Sequence, residues 1–219
     1  MVNLVFIGKQ GVGKGTYAQM LFAEHAIPQI STGELLRNEI KSGSALGKKV
    51  SEIIKTGNLV PDAIVAEMLE KRLQQKDAQH GFILDGFPRN LAQAKTLDEL
   101  LKKISLKIDL AMNFVAADKI LLQRLTGRRQ CRKCGTIFHI QNIKPKLEGI
   151  CDKCGSELYQ RDDDKEDAIR KRWELYEKET KPVIDFYKKQ KKLVEINASK
   201  EAKEIYPEIV KTLKSKKMI

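Results

Sequence analysis

No stretch of this chain stays apolar long enough to cross a bilayer, so an integral membrane protein is not expected. No basic segment precedes the first apolar run, Met1-Val2-Asn3-Leu4-Val5-Phe6-Ile7-Gly8, and no small-residue cleavage site follows it. A secretory signal is therefore not expected, and the cytoplasm is the expected compartment. Internal repeats and low-complexity tracts are missing, which leaves an ordinary globular chain. Cysteine is confined to four positions, all between 131 and 154. Acidic residues are the minority: 29 Asp and Glu against 41 Lys and Arg give a formal charge of +12, which favours anionic partners. Nucleic acid and phosphorylated small molecules both suit that balance. Runs such as Lys188-Lys189-Gln190-Lys191-Lys192 and Lys214-Ser215-Lys216-Lys217 read as solvated helix ends.

What is present fits one α/β domain carrying inserts: 219 residues, 42% hydrophobic and 32% charged, are enough for a substantial core. Four short apolar runs, Leu4 to Ile7, Phe82 to Leu84, Leu110 to Phe114 and Leu193 to Ile196, read as strands buried on both faces. Helical patterns separate them, over Gly15 to Glu24, Pro61 to Gln75 and Asn90 to Lys103. That alternation implies a central parallel sheet covered on both sides, a three-layer fold. Residues 31–60 and 127–164 lack a core-strand signal and read as inserts, the first made of short helices. Ile169, Trp173 and Tyr176 share a helix expected to break at Pro182, and Glu201 to Leu213 reads as a terminal helix.

The first strand runs into Gly8-Lys9-Gln10-Gly11-Val12-Gly13-Lys14-Gly15-Thr16, the strand, glycine loop and helix order of a phosphate-binding loop. Glycines let the backbone turn its amides inward, the helix start adds its positive end, and Lys14 supplies a mobile cation. The position directly after the lysine is Gly15, with Thr16 one place later. Direct Mg²⁺ ligation by a hydroxyl at that position is therefore not expected, and Mg²⁺ would be held by nucleotide oxygens, water and an outer carboxylate.

Cys131-Arg132-Lys133-Cys134 and Cys151-Asp152-Lys153-Cys154 are two Cys-x2-Cys knuckles with 16 residues between them, residues 135–150, the spacing of a four-thiolate Zn²⁺ site. Four sulfur ligands leave no open position, so the metal is expected to be structural and to stiffen a flap too small for a core of its own. A reducing compartment argues against disulfides here. His139 is read as a hydrogen-bonding residue of the flap and not as a ligand.

The Gly-Lys-Gly-Thr loop and the two knuckles resemble the adenylate kinases of the long-lid, zinc-binding type, over nearly the whole chain. The resemblance implies a P-loop NTPase-like fold in which 31–60 is the nucleoside monophosphate-binding insert and 127–164 the lid. It implies reversible, Mg²⁺-dependent phosphoryl transfer, ATP + AMP = 2 ADP. By the same resemblance ATP is bound by Gly11, Val12, Gly13, Lys14, Gly15, Thr16, Arg124, Arg128, Ile137, Phe138 and Lys200, with Arg124 against the adenine and Lys200 contributing backbone. Thr32, Arg37, Asn58, Leu59, Val60, Gly86, Arg89, Gln93, Arg161 and Arg172 bind AMP, Gln93 reading the adenine edge. Asp85, in Asp85-Gly86-Phe87-Pro88-Arg89, takes an outer role at Mg²⁺, and Arg161 and Arg172 also serve the group in flight. Lys14, Arg89, Arg128, Arg161 and Arg172 are the expected catalytic cations. Phe138 stands where the family often has tyrosine, which removes any hydroxyl contact there, and Gln141-Asn142-Ile143-Lys144-Pro145 departs from the usual Asn-Pro-Pro.

Such chemistry needs no nucleophilic side chain, because the acceptor phosphate attacks, and planar arginine forks suit phosphate. The nearest alternatives are a UMP/CMP kinase or a GTP:AMP phosphotransferase. A nucleic-acid-binding module would use the knuckles and the positive charge, but it explains neither the glycine loop nor Arg37 and Arg89, and the flap offers few aromatics beyond Phe138 and Tyr159. A monomer without nucleic-acid or membrane partners is the expectation.

Overall fold

Strands buried on both faces cannot alternate apolar with polar residues, and three of the four apolar runs form such strands; the fourth, Leu193 to Ile196, lies at the sheet edge with only Ile196 buried. The computed structural model describes residues 2–55 and 60–219. Its central sheet contains β1 (Asn3–Ile7), β2 (Gln29–Ser31), β3 (Phe82–Asp85), β4 (Leu110–Val115) and, last in the chain, β8 (Leu193–Asn197), in the spatial order β2-β3-β1-β4-β8. Every pairing is parallel; β1 lies in the middle, with Leu4 opposite Ile83 on one side and Leu110 on the other.

Alternate residues of β1 enter different cores. Leu4 and Phe6 pack with Tyr17 and Leu21 of α1 (Lys14–His25), Leu121 of α6 (Asp118–Thr126), Ile169 of α7 (Glu166–Leu175) and Ile209 of α9 (Ala202–Ser215). Val5 and Ile7 pack on the opposite face with Leu69 of α4 (Asp62–Leu73), Leu97 of α5 (Leu91–Lys103) and Val183 of α8 (Lys181–Lys189). The period-two geometry of the strand thus divides the molecule into three layers. Phe114 meets Phe6 edge-on at 4.9 Å and stacks on Tyr17 at 5.0 Å, which pins α1 across the sheet.

Two helices, α2 (Thr32–Lys41) and α3 (Ala45–Lys55), follow β2 and pack together. Ser31 caps α2 by accepting from the Glu34 N–H. Asn58 and Leu59, both expected at the acceptor base, lie outside the described residues. A second, antiparallel sheet of order β6-β5-β7 is formed by β5 (Arg128–Cys131), β6 (Ile137–His139) and β7 (Leu158–Tyr159).

Two further features differ from the sequence expectation. β2 has only three residues, with just Ile30 buried, and is fixed by its ladder to β3. Pro182 does not break its helix: Tyr176–Thr180 form a π turn in which the Lys181 N–H reaches the Tyr176 carbonyl, so the proline falls in the first turn of α8. Among the described residues no helix is long and apolar enough to cross a membrane.

Candidate active site

Ligands of open parallel sheets collect beyond the carboxyl ends of the strands, and the glycine loop leaves β1 at that edge. Gly8 has φ +141°, and a Cβ there would lie 2.5 Å from the Phe114 carbonyl oxygen. Gly13, at φ +96°, turns the chain into α1 without a side-chain cap, so the first amides of the helix stay available to an anion. Lys14 folds back on the loop, its Nζ donating to the carbonyls of Gly8 at 2.6 Å and Lys9 at 3.2 Å. Desolvation, opposed by Asp85 and reinforced by Arg89, Arg172 and Arg128, pulls its pKa down to about 8. A lysine held among arginines with so little compensating charge is a site waiting for an anion.

Those arginines come from distant parts of the chain and line one cavity of about 970 Å³ together with Lys14, Gly15, Thr16 and Asp85. Arg89 follows β3; its Nε donates to the Gly86 carbonyl at 2.7 Å, and burial and the neighbouring Arg172 lower its pKa to about 10. Arg37 projects from α2, likewise pulled down by burial. Arg128 grips the fully buried Asp164 through two hydrogen bonds, the one from Nε at 2.8 Å. Arg172 of α7 donates to Asp163 at 2.6 Å. Burial, then Arg128 and Arg37, bring Arg161 down to about 10. Asp85, Asp163 and Asp164 lie among these guanidinium groups and offset only part of their charge.

The remaining expected residues divide. Arg124 of α6 donates to three carbonyls, of Ala198 at 2.8 Å, Ser199 at 3.2 Å and Lys200 at 2.6 Å, so its edges are held while it lines the cavity. The Lys200 carbonyl thus holds Arg124, and Lys200 itself is not among the residues that line the cavity. Gly11, Gly13, Gly86, Ile137 and Phe138 line the cavity, whereas Val12 and Val60 are buried in the two cores. Thr32 Oγ1 donates to the Gly86 carbonyl at 2.9 Å. Gln93 stands apart from the cavity lining: its Oε1 accepts from the Arg89 N–H and its Nε2 donates to Asp62, each at 2.6 Å, so it braces the Arg89 loop. The Asp85 carboxylate accepts from Gln29 at 3.0 Å and faces the start of α1 near Gly15, a placement that fits an outer carboxylate for Mg²⁺.

The four cysteine sulfurs lie within 4.8 Å of one another, as free thiols. Cys131 and Cys154 approach to 3.4 Å and Cys134 and Cys151 to 3.5 Å. A tetrahedron with arms of about 2.3 Å has edges near 3.8 Å, so the set fits a Zn²⁺ ion. Both knuckles turn alike: Gly135 and Gly155 have positive φ and donate to the carbonyls of Cys131 and Cys151. Hydrogen bonding from Thr136 lowers the Cys134 thiol to about 6, towards the thiolate a metal requires. His139 is not among these ligands. Its Nδ1 accepts from the N–H groups of Gln141 and Asn142, which leaves the proton on Nε2, 3.2 Å from the Gln123 carbonyl.

Sequence reasoning missed three supports. Gln29 orients Asp85; Thr180, in the π turn, donates to the Arg89 carbonyl at 2.8 Å; and Gln130 accepts from Arg161. Only Gln130 left a trace, lying two residues from Arg128 and so on the same face of a strand.

The adenylate kinase family model matches residues 6–192. An adenylate kinase of Archaeoglobus fulgidus is 47% identical over 208 residues, covering 95% of this chain and 96% of its own. One from Thermodesulfovibrio yellowstonii is 47% identical over 215 residues, 98% of this chain and 100% of its own. A third, from Caldicellulosiruptor bescii, is 45% identical over 212 residues, 97% and 99% respectively. With a glycine loop, a ring of guanidinium groups and a four-thiolate cluster joined in one molecule, the chain belongs to the adenylate kinase family.

Proposed function

We propose that the chain transfers the γ-phosphoryl group of ATP reversibly to AMP, giving two ADP, and that Lys14, Arg89, Arg128, Arg161 and Arg172 are the cations that carry the transfer. The carrying observation is their convergence with Arg37 on one cavity at the carboxyl edge of β1 and β3. The loop amides and Lys14 hold the β- and γ-phosphates of the donor, and Arg128 neutralises them from the lid side. Arg37 and Arg89 hold the acceptor phosphate, one of whose oxygens attacks the γ-phosphorus in line with the departing β–γ bridging oxygen. Arg161 and Arg172 face charge that spreads over the group in flight, where a fixed donor contributes more than it does to the ground state. Arg124 presents its flat face to the donor base, since its edges are tied to backbone.

Asp85 would help to hold the hydrated Mg²⁺ that accompanies ATP, and the ion would supply positive charge against the phosphates. Zn²⁺ held by Cys131, Cys134, Cys151 and Cys154 is structural. Residues 31–60 and 127–164 act as the acceptor-binding insert and the lid, which close on the core and exclude water that would otherwise take the phosphoryl group. The four reduced thiols suit a reducing cytoplasm, and the chain works there as a monomer.

A coupled assay with ATP and Mg²⁺ across AMP, UMP, CMP and GMP tests this. Turnover is expected with AMP. Turnover with a pyrimidine monophosphate and none with AMP would overturn the acceptor assignment, and GTP outpacing ATP would overturn the donor.

A further inference from the structure

Arg161 is held differently from its neighbours. Arg128 and Arg172 each face a carboxylate, Asp164 and Asp163, which cancels part of the charge they offer an anion. Arg161 is anchored instead by a neutral amide: its Nε donates to Gln130 Oε1 at 2.6 Å. Among the described residues its two Nη groups make no hydrogen bond or ion pair of their own, and the residue lines the same cavity. Gln130 is itself fixed from the other side, where its Nε2 donates at 3.0 Å to the carbonyl of Gly135, the residue that closes the first cysteine knuckle. The hydroxyl of Tyr159, opposite Gln130 in the β5–β7 pairing, donates to the same Oε1 at 3.4 Å.

We infer that Gln130 is a positioning residue for phosphoryl transfer: its amide ties the Nε edge of Arg161 to the cysteine knuckle and leaves both Nη groups, with no carboxylate bonded to them, for the phosphate in flight. Alternation along β5 carries the geometry. Arg128 and Gln130 share the face that lines the cavity, while Arg129 turns away to the carbonyls of Thr126 and Arg128. An amide suits the task better than a carboxylate, because it orients a guanidinium without neutralising it. Arginine geometry fixed before the reaction avoids reorganisation at the moment of transfer.

The inference rests on the role proposed above for Arg161, and the experiment separates the two. Gln130→Met keeps length and volume and removes both polar atoms; Gln130→Leu is a second, shorter variant. Each is measured alone and combined with Arg161→Ala, with zinc content and Tm determined alongside. The expected result is a roughly tenfold loss of kcat in either Gln130 variant, with KM for ATP, zinc content and Tm near the parent values, and less than about a twofold further loss in the Arg161→Ala background. By hydrogen exchange, the Arg161 Nε–H of the unaltered protein should be protected relative to the same group in Gln130→Met. Parental kcat in both Gln130 variants, equal losses in both backgrounds, or an unprotected Arg161 Nε–H would each overturn the inference and leave the role of Arg161 standing. Parental kcat in Arg161→Ala alone would overturn that role, and this inference with it.

Discussion

The core and the lid supply cations to one chamber by different physical means. In the core, β1, β3 and β4 are almost wholly buried, and two apolar clusters of large side chains sandwich the sheet. In the lid the buried apolar set is Cys131, Phe138 and Cys151, with Cys154 and Leu158 beside them, so three of these five residues are cysteines. Burial at roughly 25 cal/mol per Å² can hold the first and cannot hold the second. The glycine loop therefore stands on packing, and on the function proposed above Arg128 and Arg161 stand on a metal held by the four cysteines.

Removing the metal breaks the comparison most sharply. Structural Zn²⁺ contributes on the order of 10–16 kcal/mol in small domains, so chelation, or Cys151→Ser, should unfold the lid and leave the core intact. Hydrogen exchange should show protection lost in β5, β6 and β7 and retained in β1, β3 and β4, with activity abolished.

Lys14→Met attacks the core side instead. Loss of one fixed donor to the transferred group is expected to lower kcat by about 10²–10³. Tm should not fall, because the charged lysine is desolvated in the empty site. The two effects, opposite for a merely structural residue, are read from ADP formation and calorimetry.

The same lysine gives a pH signature confined to the core. Its folded pKa of about 8 lies below the ordinary 10.5, so the unfolded chain binds the extra proton in that window and stability rises as pH climbs through it. Phosphate reverses the shift. ATP binding at a pH of about 9 should take up close to one proton, measured by titration calorimetry in buffers of different ionisation enthalpy, and Lys14→Met should abolish the uptake.

The smallest effect is expected on the outer lid surface, where Arg132 pairs with Glu157 at 3.1 Å and lies 4.6 Å from the centre of the Tyr159 ring. Both partners of the ion pair are exposed, so Arg132→Ala should change stability by less than about 1 kcal/mol and leave activity unaltered.

The same contrast explains what the sequence could tell. Leu4 to Ile7 and Leu110 to Phe114 announce buried strands because burial on both faces leaves room for few polar residues, Asn113 being the one such residue in the second run. The glycine loop is legible because its chemistry is local. Strand β5, Arg128-Arg129-Gln130-Cys131, is polar and short, and its pairing depends on knuckles with 16 residues between them, so no periodicity marks it. β2 depends on β3 for its ladder, and the π turn before Pro182 depends on packing that no local pattern records. The cysteines disclosed a cluster that could hold a metal ion, and the arginines were legible only as a set. Their supports, Gln130, Gln29 and Thr180, lie far from them in sequence and became visible only in three dimensions.

The most direct test is a crystal structure with two adenosines joined through a chain of phosphates. Lys14 and Arg128 should contact one end of the chain and Arg37 and Arg89 the other, with the Nη groups of Arg161 and Arg172 within about 3 Å of the phosphate between them. Phosphates bound elsewhere, or central oxygens left without a guanidinium partner, would contradict a shared chamber built jointly by core and lid.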